Sequence, residues 1–431
     1  MSGNLMHPGS LLALNKLRKT QWLSPAELEE LQWQKLRRVL HHAYERVPYY
    51  RRLFDSAGIK PADIRSRADL SLVPITTKKA LQQTPSEELL ARGVKLSRCI
   101  ERRTSGTTGS PLSVFLSHRE KEAQDMVQAR AMLENGLRLT DRRAVFVASW
   151  QIPRAKSWFQ RLGFWRKIHF PVFDDIRDQM PALERFTPES LAGTPAILRL
   201  IALETMRRGR NRLSPRTIFS TADLLDRGTR ELLESVFKVK VVDLYGSLEF
   251  GYLAWECPQR RGYHVNMESV VMEFLPAGRR APDGDAREVV CTSLLAYTMP
   301  LIRYRLGDLC TPSPEPCPCG RGLALIKLIE GRTNDVVRLP GGRVVTPQAL
   351  ADAMVGFGGM IQQFRIIQER EEHISVHLVE GRDFNATTVS LIEEGLGRVL
   401  GRDVHIQTQI VPSIRRDPAG KQRAIISNVS G

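Results

Sequence analysis

Between Cys99 and Asp308 short apolar runs rich in β-branched residues alternate with longer helical stretches. Ala144–Ala148, Arg216–Phe219, Val239–Leu244 and Glu288–Thr292 read as strands, and Glu120–Asn135 and Pro195–Arg208 as helices. That alternation confines the chain to an α/β sheet architecture. Ahead of it, Ser24-Pro25-Ala26-Glu27 is a capping box with proline at the first helical position. The helix it opens carries Leu28, Leu31, Leu36, Val39, Leu40, Ala43 and Val47 as one apolar stripe that stops before Pro48. Behind it, the proline-rich run Thr311–Pro316 breaks regular structure, and a boundary is expected at Gly331–Asp335. Beyond that, Gln363–Gln368 and His373–Leu378 read as strands and Asn385–Leu400 as an amphipathic helix, a small α+β unit. The organisation expected is therefore a helical segment at 1–98 packed on the core, a core at 99–332, and a small unit at 333–431.

With 431 residues, of which 42% are hydrophobic and 26% charged, the chain can bury a large core and fits a globular protein. No apolar stretch approaches the roughly 18 residues that span a bilayer, and Met1–Leu14 lacks a secretory signal pattern, so a cytoplasmic setting is expected. Six scattered cysteines fit a reducing compartment. The net charge of +16 raises the question of nucleic acid. The arginines are dispersed, as in Arg207-Arg208-Gly209-Arg210 and Arg415-Arg416, without a basic stripe interleaved with aromatics. The charge is read as steering of anionic substrates and solubility, with no nucleic-acid partner.

Thr104-Ser105-Gly106-Thr107-Thr108-Gly109 is a run of hydroxyls and glycines, closed by Ser110-Pro111 and followed by the strand-like Leu112–Leu116. Glycines admit positive φ and close approach, and successive N–H groups make an anion-binding concavity to which the hydroxyls add donors. The run is read as a polyphosphate cradle, with a plain surface turn as the alternative. It lacks the Gly-Lys-Ser/Thr ending of a Walker loop.

Other motifs follow in order. Tyr245-Gly246-Ser247-Leu248-Glu249 comes after Val239–Leu244, and Tyr304-Arg305-Leu306-Gly307-Asp308-Leu309 after Met299–Ile302. Gly331-Arg332-Thr333-Asn334-Asp335 precedes Gly341-Gly342-Arg343-Val344-Val345-Thr346-Pro347, and Gly420-Lys421 lies near the C-terminus. Together with Leu36–Tyr50, the set resembles the adenylate-forming superfamily, and within it the phenylacetate–coenzyme A ligase family, from about Leu31 to Ile426. The resemblance implies a large N-terminal adenylate-forming domain of β-sheets and packed helices with a small mobile α+β domain. It also implies ATP-dependent activation of a carboxylic acid, aromatic or apolar, to an acyl-adenylate, followed by transfer to coenzyme A. Transfer to an amine, sugar or carrier protein, and a catalytically silent relative, remain open, as does a homodimer.

By the same resemblance, Thr104, Ser105, Gly106, Thr107, Thr108 and Gly109 would hold the β- and γ-phosphates, and Tyr245, with Gly246 and Ser247 beside it, would pack on adenine. Glu249 would hold Mg²⁺, as a carboxylate suits a hard cation, and Asp308 would accept from both ribose hydroxyls. Arg332 and Arg343 match family positions that contact ribose or phosphate as the small domain rearranges. Lys421 matches the lysine that bridges the substrate carboxylate and the α-phosphate. Three positions depart from the family pattern. Leu248 stands where a Ser or Thr contacts the α-phosphate, with Ser247 as a possible substitute. Thr221, Ala222 and Asp223 replace a Gly-rich turn ending in Glu against adenine. Asn334 replaces the hinge aspartate. Walls for the acid are sought among Phe146, Trp150, Phe219 and Tyr245.

Cys257-x₆-His264 and Cys317-Pro318-Cys319 offer three thiolates and an imidazole, a closed set suited to structural Zn²⁺, and some family relatives carry zinc at matching positions. Unrelated loop residues, or Cys310 as a substitute ligand, are the alternatives.

Overall fold

A computed structural model describes residues 8–104, 111–152, 160, 162–209, 212–277, 286–417 and 421–429. Among them an eleven-stranded sheet forms the frame. Its first five strands in space, Lys167–Pro171, Arg143–Val147, Ser190–Gly193, Thr217–Thr221 and Val241–Ser247, pair in parallel. The sheet then continues antiparallel through Gly251–Glu256, Tyr263–Val265, Leu325–Arg332, Tyr304–Ser313, Arg287–Ser293 and Val270–Pro276. Strand alternation explains why the parallel half is covered on both faces. Ala144, Leu191, Ile218 and Val241 point to one core with Met180 and Leu183 of helix Ile176–Phe186, Leu198 and Ile201 of helix Pro195–Arg207, and Leu233 of helix Arg227–Phe237. Their neighbours Ala192, Phe219 and Val242 point to the other, shared with Met126, Ala129 and Met132 of helix His118–Glu134.

The chain leaves strand Arg143–Val147 first toward Lys167–Pro171 on one side and then toward Ser190–Gly193 on the other. Such a reversal opens a crevice beyond the carboxyl ends of the strands. A four-stranded sheet in the order His405–Ile410, His373–Glu380, Ile361–Arg370, Ile425–Ser427 follows, with helices Pro347–Ala353 and Thr388–Leu400 packed on it through Leu350, Ile392 and Leu396. Glu330 links the two parts: its carboxylate accepts from Thr311 Oγ1 and Thr346 Oγ1, each at 3.1 Å.

The capping box forms as expected: helix Pro25–Arg46 starts at Ser24, whose side chain accepts from the Glu27 N–H. Its Gln32 amide donates to the carbonyls of Met267 (3.2 Å) and Val270 (2.7 Å), which docks the segment on the sheet. The helix ends at Arg46, before Pro48 as the stripe predicts, and Pro48 then opens a second helix, Pro48–Ser56, because proline suits the first turn. The 311–316 run is more regular than expected. Strand Tyr304–Ser313 runs through Pro312, which stands at a register irregularity where no ladder donor is required. Among the described residues no helix is long and apolar enough to cross a membrane.

One buried ion pair joins these layers. Arg130 donates to Glu268 Oε1 (2.6 Å), Asn266 Oδ1 (2.5 Å) and the Leu17 carbonyl (3.2 Å), while Thr20 Oγ1 also donates to Glu268 Oε1 (2.7 Å). Breaking such a pair from one side leaves a buried charge alone, at a cost of about 3–5 kcal/mol. Arg130→Met should therefore lower the melting temperature strongly. Adding Glu268→Leu should recover most of the loss in the same thermal scan.

Candidate active site

A cleft of about 1690 Å³ lies where the carboxyl ends of the parallel strands face the C-terminal sheet. Each strand delivers its last residues to it: Phe146 and Val147, Gly193, Thr221, then Tyr245 to Ser247.

At the end of strand Val241–Ser247 the backbone is crowded. A Cβ on Gly246 would sit 2.5 Å from the Gly251 carbonyl, so only glycine lets the two strands close here. Ser247 Oγ accepts from the Phe250 N–H at 3.2 Å, which fastens the following turn. That contact uses the Ser247 oxygen as an acceptor and leaves its hydroxyl proton as the donor that Leu248 cannot supply. The turn is held from outside by Arg102, whose Nη1 donates to Gln124 Oε1 (2.9 Å) and to the Leu248 carbonyl (3.4 Å). Glu249 then faces the cleft, its Oε1 accepting from Tyr304 Oη at 3.1 Å.

Asp308 lies across from it on strand Tyr304–Ser313. Its Oδ2 accepts from Tyr245 Oη at 2.8 Å and its Oδ1 lies 3.7 Å from Arg332 Nε. Burial raises Asp308 above the usual carboxylate range, against the pull of Arg332. Tyr245, expected as a platform for adenine, thus also fixes the carboxylate expected to meet the ribose. Asp223 is pushed up to about 6 by burial, opposed chiefly by Lys421. The preceding Ala222 adopts φ 73, a left-handed conformation that costs a Cβ-bearing residue energy, and Thr221 Oγ1 anchors the turn on the Leu244 carbonyl at 3.0 Å.

Lys421 comes from the C-terminal unit and lines the same cleft. Burial and Arg332 lower its pKa, while Asp223, Asp417 and Asp308 oppose the shift. A short turn holds its backbone: Asp417 N donates to the Lys421 carbonyl and Lys421 N to Asp417 Oδ1, both at 2.8 Å. Asn334 lines the cleft, and the charge missing there is carried by the next residue, Asp335, in an ion pair with Arg423.

Arg343 and Phe219 do not line the cleft in this arrangement. Arg343 is exposed and outside the cleft; its guanidinium donates to the Leu400 carbonyl at the end of helix Thr388–Leu400. The last residues of a helix leave carbonyls unpaired, and a cation satisfies them well. Phe219 is fully buried and does not line the cleft, whereas Trp150 lines the cleft mouth but is 64% exposed and leans on Phe173, 5.9 Å between centroids. Phe146 both lines the cleft and stacks on Phe170. Of the phosphate loop only its base is in view. Thr104 N donates to the Leu112 carbonyl (3.0 Å) and its Oγ1 accepts from Leu112 N (2.8 Å), while Ser105, Gly106, Thr107, Thr108 and Gly109 lie outside the described residues. Tyr304 and Arg102 were not singled out from the sequence. Tyr304 opens a recognised motif, but Arg102 carries no local signal.

Away from the cleft, the ligand atoms of Cys257, His264, Cys317 and Cys319 all lie within 4.8 Å of one another. Cys257 Sγ and Cys317 Sγ are 3.6 Å apart, and Cys319 Sγ and His264 Nε2 3.3 Å. Metal–sulfur bonds of about 2.3 Å at tetrahedral angles give sulfur separations of roughly 3.8 Å, so the set fits a closed Zn²⁺ site. Burial holds the His264 imidazole neutral, down to about 3, as a ligand must be. The loop is tight enough to require Gly262 at φ 118, where a Cβ would meet the Ile326 carbonyl. Cys310 is not part of the group; it is buried in the sheet beside Asp308 and Tyr245.

The C-terminal domain family of CapK matches residues 338–428. Over most of its length the chain is similar to phenylacetate–coenzyme A ligases. It is 28% identical over 373 residues to that of Thermus thermophilus (80% of this chain, 79% of the relative) and 28% identical over 380 residues to that of Escherichia coli K12 (84% of each). Protein CapK of Staphylococcus aureus is 23% identical over 421 residues, 94% of this chain and 90% of that one. Similarity to phenylacetate–coenzyme A ligases thus extends over about four-fifths of this chain. Its fold matches that of a 2-hydroxyisobutyryl-CoA ligase in the postadenylation state with 2-HIB-AMP: TM-score 0.78, 22% identity, 94% of this chain and 90% of the other. Against the same ligase in the thioesterification state the TM-score is 0.62, at 93% and 90% coverage.

The Tyr245–Glu249 segment depends on the close approach at Gly246. Gly246→Ala should push it off the Gly251 strand, costing about 1–3 kcal/mol in stability. Titration with a fluorescent ATP analogue should show binding weakened well beyond that of a control away from the cleft such as Gly397→Ala, whose Cβ would meet nothing within 4 Å.

Proposed function

We propose that this protein uses ATP to convert a carboxylic acid into an acyl-adenylate and pyrophosphate, then transfers the acyl group to coenzyme A with release of AMP. The observation that carries this is the convergence of Lys421, Arg332, Asp223 and Asp308 on one cleft, with Lys421 supplied by the C-terminal unit. The substrate carboxylate is itself the nucleophile, so the site needs no general base; it needs positive charge at the α-phosphate and a fixed ribose. Lys421, partly desolvated, is placed to offset charge shared by the attacking carboxylate and the α-phosphate. Asp308, oriented by Tyr245, would accept from the ribose hydroxyls, and Arg332 would favour its ionised form against the effect of burial while facing the phosphates. Glu249, oriented by Tyr304, would hold Mg²⁺, whose charge screens the triphosphate. Thr104 to Gly109 would cradle the β- and γ-phosphates. The acid would lie between helix His118–Glu134 and the strand ends at Phe146 and Gly193, where an apolar or aromatic acid fits the lining by Phe146, Val172 and Tyr252.

ATP–pyrophosphate exchange across a panel of carboxylic acids tests the reading. At least one apolar or aromatic acid should support exchange, and none doing so would overturn it. With that acid, Lys421→Ala should lose about 3–4 kcal/mol of transition-state stabilisation, several hundredfold in exchange, while ATP affinity is kept. Unchanged exchange would remove Lys421 from the chemistry.

The metal site is a second part of the proposal. Zn²⁺ on Cys257, His264, Cys317 and Cys319 would be structural, since four protein ligands leave no open position. It would tie the 256–263 loop to the segment just ahead of strand Leu325–Arg332. A metal bound only by the folded state adds stability, so chelation should lower the melting temperature. Elemental analysis of protein purified without chelator should give one zinc per chain; clearly less, with freely reactive thiols, would contradict the site. Six unpaired cysteines also fit a reducing, cytoplasmic setting.

A further inference from the structure

The helix Pro195–Arg207 begins at the switch point of the sheet and turns Arg199 toward the C-terminal unit. There the guanidinium donates from Nε to the Gln362 carbonyl (2.8 Å) and from Nη2 to the carbonyls of Ile361 (2.7 Å) and Gly358 (3.1 Å). Its hydrogen bonds go to these three neutral acceptors, while the Asp226 carboxylate acts on its charge without a close ion pair. Charge-assisted bonds of this fork geometry fix orientation as well as contact.

From these carbonyls a short path leads to the reacting centre. Gln363, next to Gln362, donates through Nε2 to Gln422 Oε1 at 3.0 Å, and accepts from Ile414 N at 3.3 Å. Gln422 adjoins Lys421. The strand that begins at Ile361 pairs Ile366 with Ile425, four residues beyond the lysine. The segment clasped by Arg199 and the turn carrying Lys421 thus move as one piece. In the neighbouring 2-hydroxyisobutyryl-CoA ligase, the postadenylation arrangement matches this fold better than the thioesterification arrangement, 0.78 against 0.62.

We propose that Arg199 is a positioning residue for the first half-reaction: by clasping the carbonyls of Gly358, Ile361 and Gln362 it holds the C-terminal sheet in the arrangement that presents Lys421 to the cleft. The proposal rests on the adenylate-forming reading above. For coenzyme A to be acylated from a differently oriented C-terminal unit, these three bonds must break, so Arg199 favours adenylation at the expense of the second step.

The test uses the full chain with Arg199→Met, which keeps length and removes the donors, and Arg199→Lys, which keeps one charge without the fork. Met should slow ATP–pyrophosphate exchange roughly tenfold, the scale of a typical coupling between sites, with half-saturating ATP unchanged. Formation of the thioester from presynthesised acyl-adenylate and coenzyme A should be unchanged or faster, and Lys should be intermediate in exchange. Independently of activity, the rate at which an amine-reactive anhydride labels Lys421, read by mass spectrometry on the ligand-free protein, should rise several-fold in Met. Equal losses in both half-reactions would mark a merely structural residue and overturn the proposal, as would unchanged labelling. A wild type inactive with every acid would overturn the adenylate-forming reading instead, while the labelling ratio would still decide the clasp.

Discussion

Everything in the site depends on the strand order of the parallel half-sheet. Because the chain leaves strand Arg143–Val147 in opposite directions, the helices that follow neighbouring strands diverge and a crevice opens above their carboxyl ends. Loops emerging there, at Gly193, Thr221–Asp223 and Tyr245–Glu249, need not pack against one another and are available to a ligand. Apolar residues pointing to both faces hold the strands rigid beneath them. A rigid floor is what a group-transfer site requires, since positioning supplies much of the rate.

The electrostatics are arranged across a seam. Asp308 and Asp223 are pushed toward the neutral form by burial, and Lys421 and Arg332 pull them back. The negative members sit on the sheet, while the lysine is carried by the C-terminal unit. Separating the two parts would therefore take Lys421 from both carboxylates and leave Arg332, on the same sheet as Asp308, as the remaining cation. A ligand combining hydroxyls with phosphate can meet both sets at once, the hydroxyls at Asp308 and the phosphate at Lys421. The contacts of Arg199 and Glu330 across the same seam act on uncharged partners, carbonyls and hydroxyls, so they set geometry without competing for that charge.

Much of this was legible in the sequence because the relevant signals are local. The capping box at Ser24 fixed a helix start, and the strand runs before Tyr245 and Tyr304 placed their motifs at strand ends, where ligands gather. Ligand chemistry and the family resemblance brought Cys257, His264, Cys317 and Cys319 under consideration, and the fold brings them together. What escaped was non-local. Nothing near Arg199 shows that three carbonyls far downstream will meet it, and nothing near Arg102 shows that it will hold the Leu248 turn. Pro312 looked like a breaker because proline is judged without its partner strand, yet an irregular register gives it a place. Phe219 looked like a pocket wall because aromatic character does not reveal how deeply a side chain is enclosed; it is fully buried in the core it shares with Leu244 and Met126.

The most direct measurement of the central claim is the crystal structure of the complex with ATP and Mg²⁺. The account predicts adenine beside Tyr245, both ribose hydroxyls on Asp308, metal at Glu249 and the α-phosphate facing Lys421 across the seam. A nucleotide bound elsewhere, or one whose ribose does not touch Asp308 and whose α-phosphate lies away from Lys421, would contradict it.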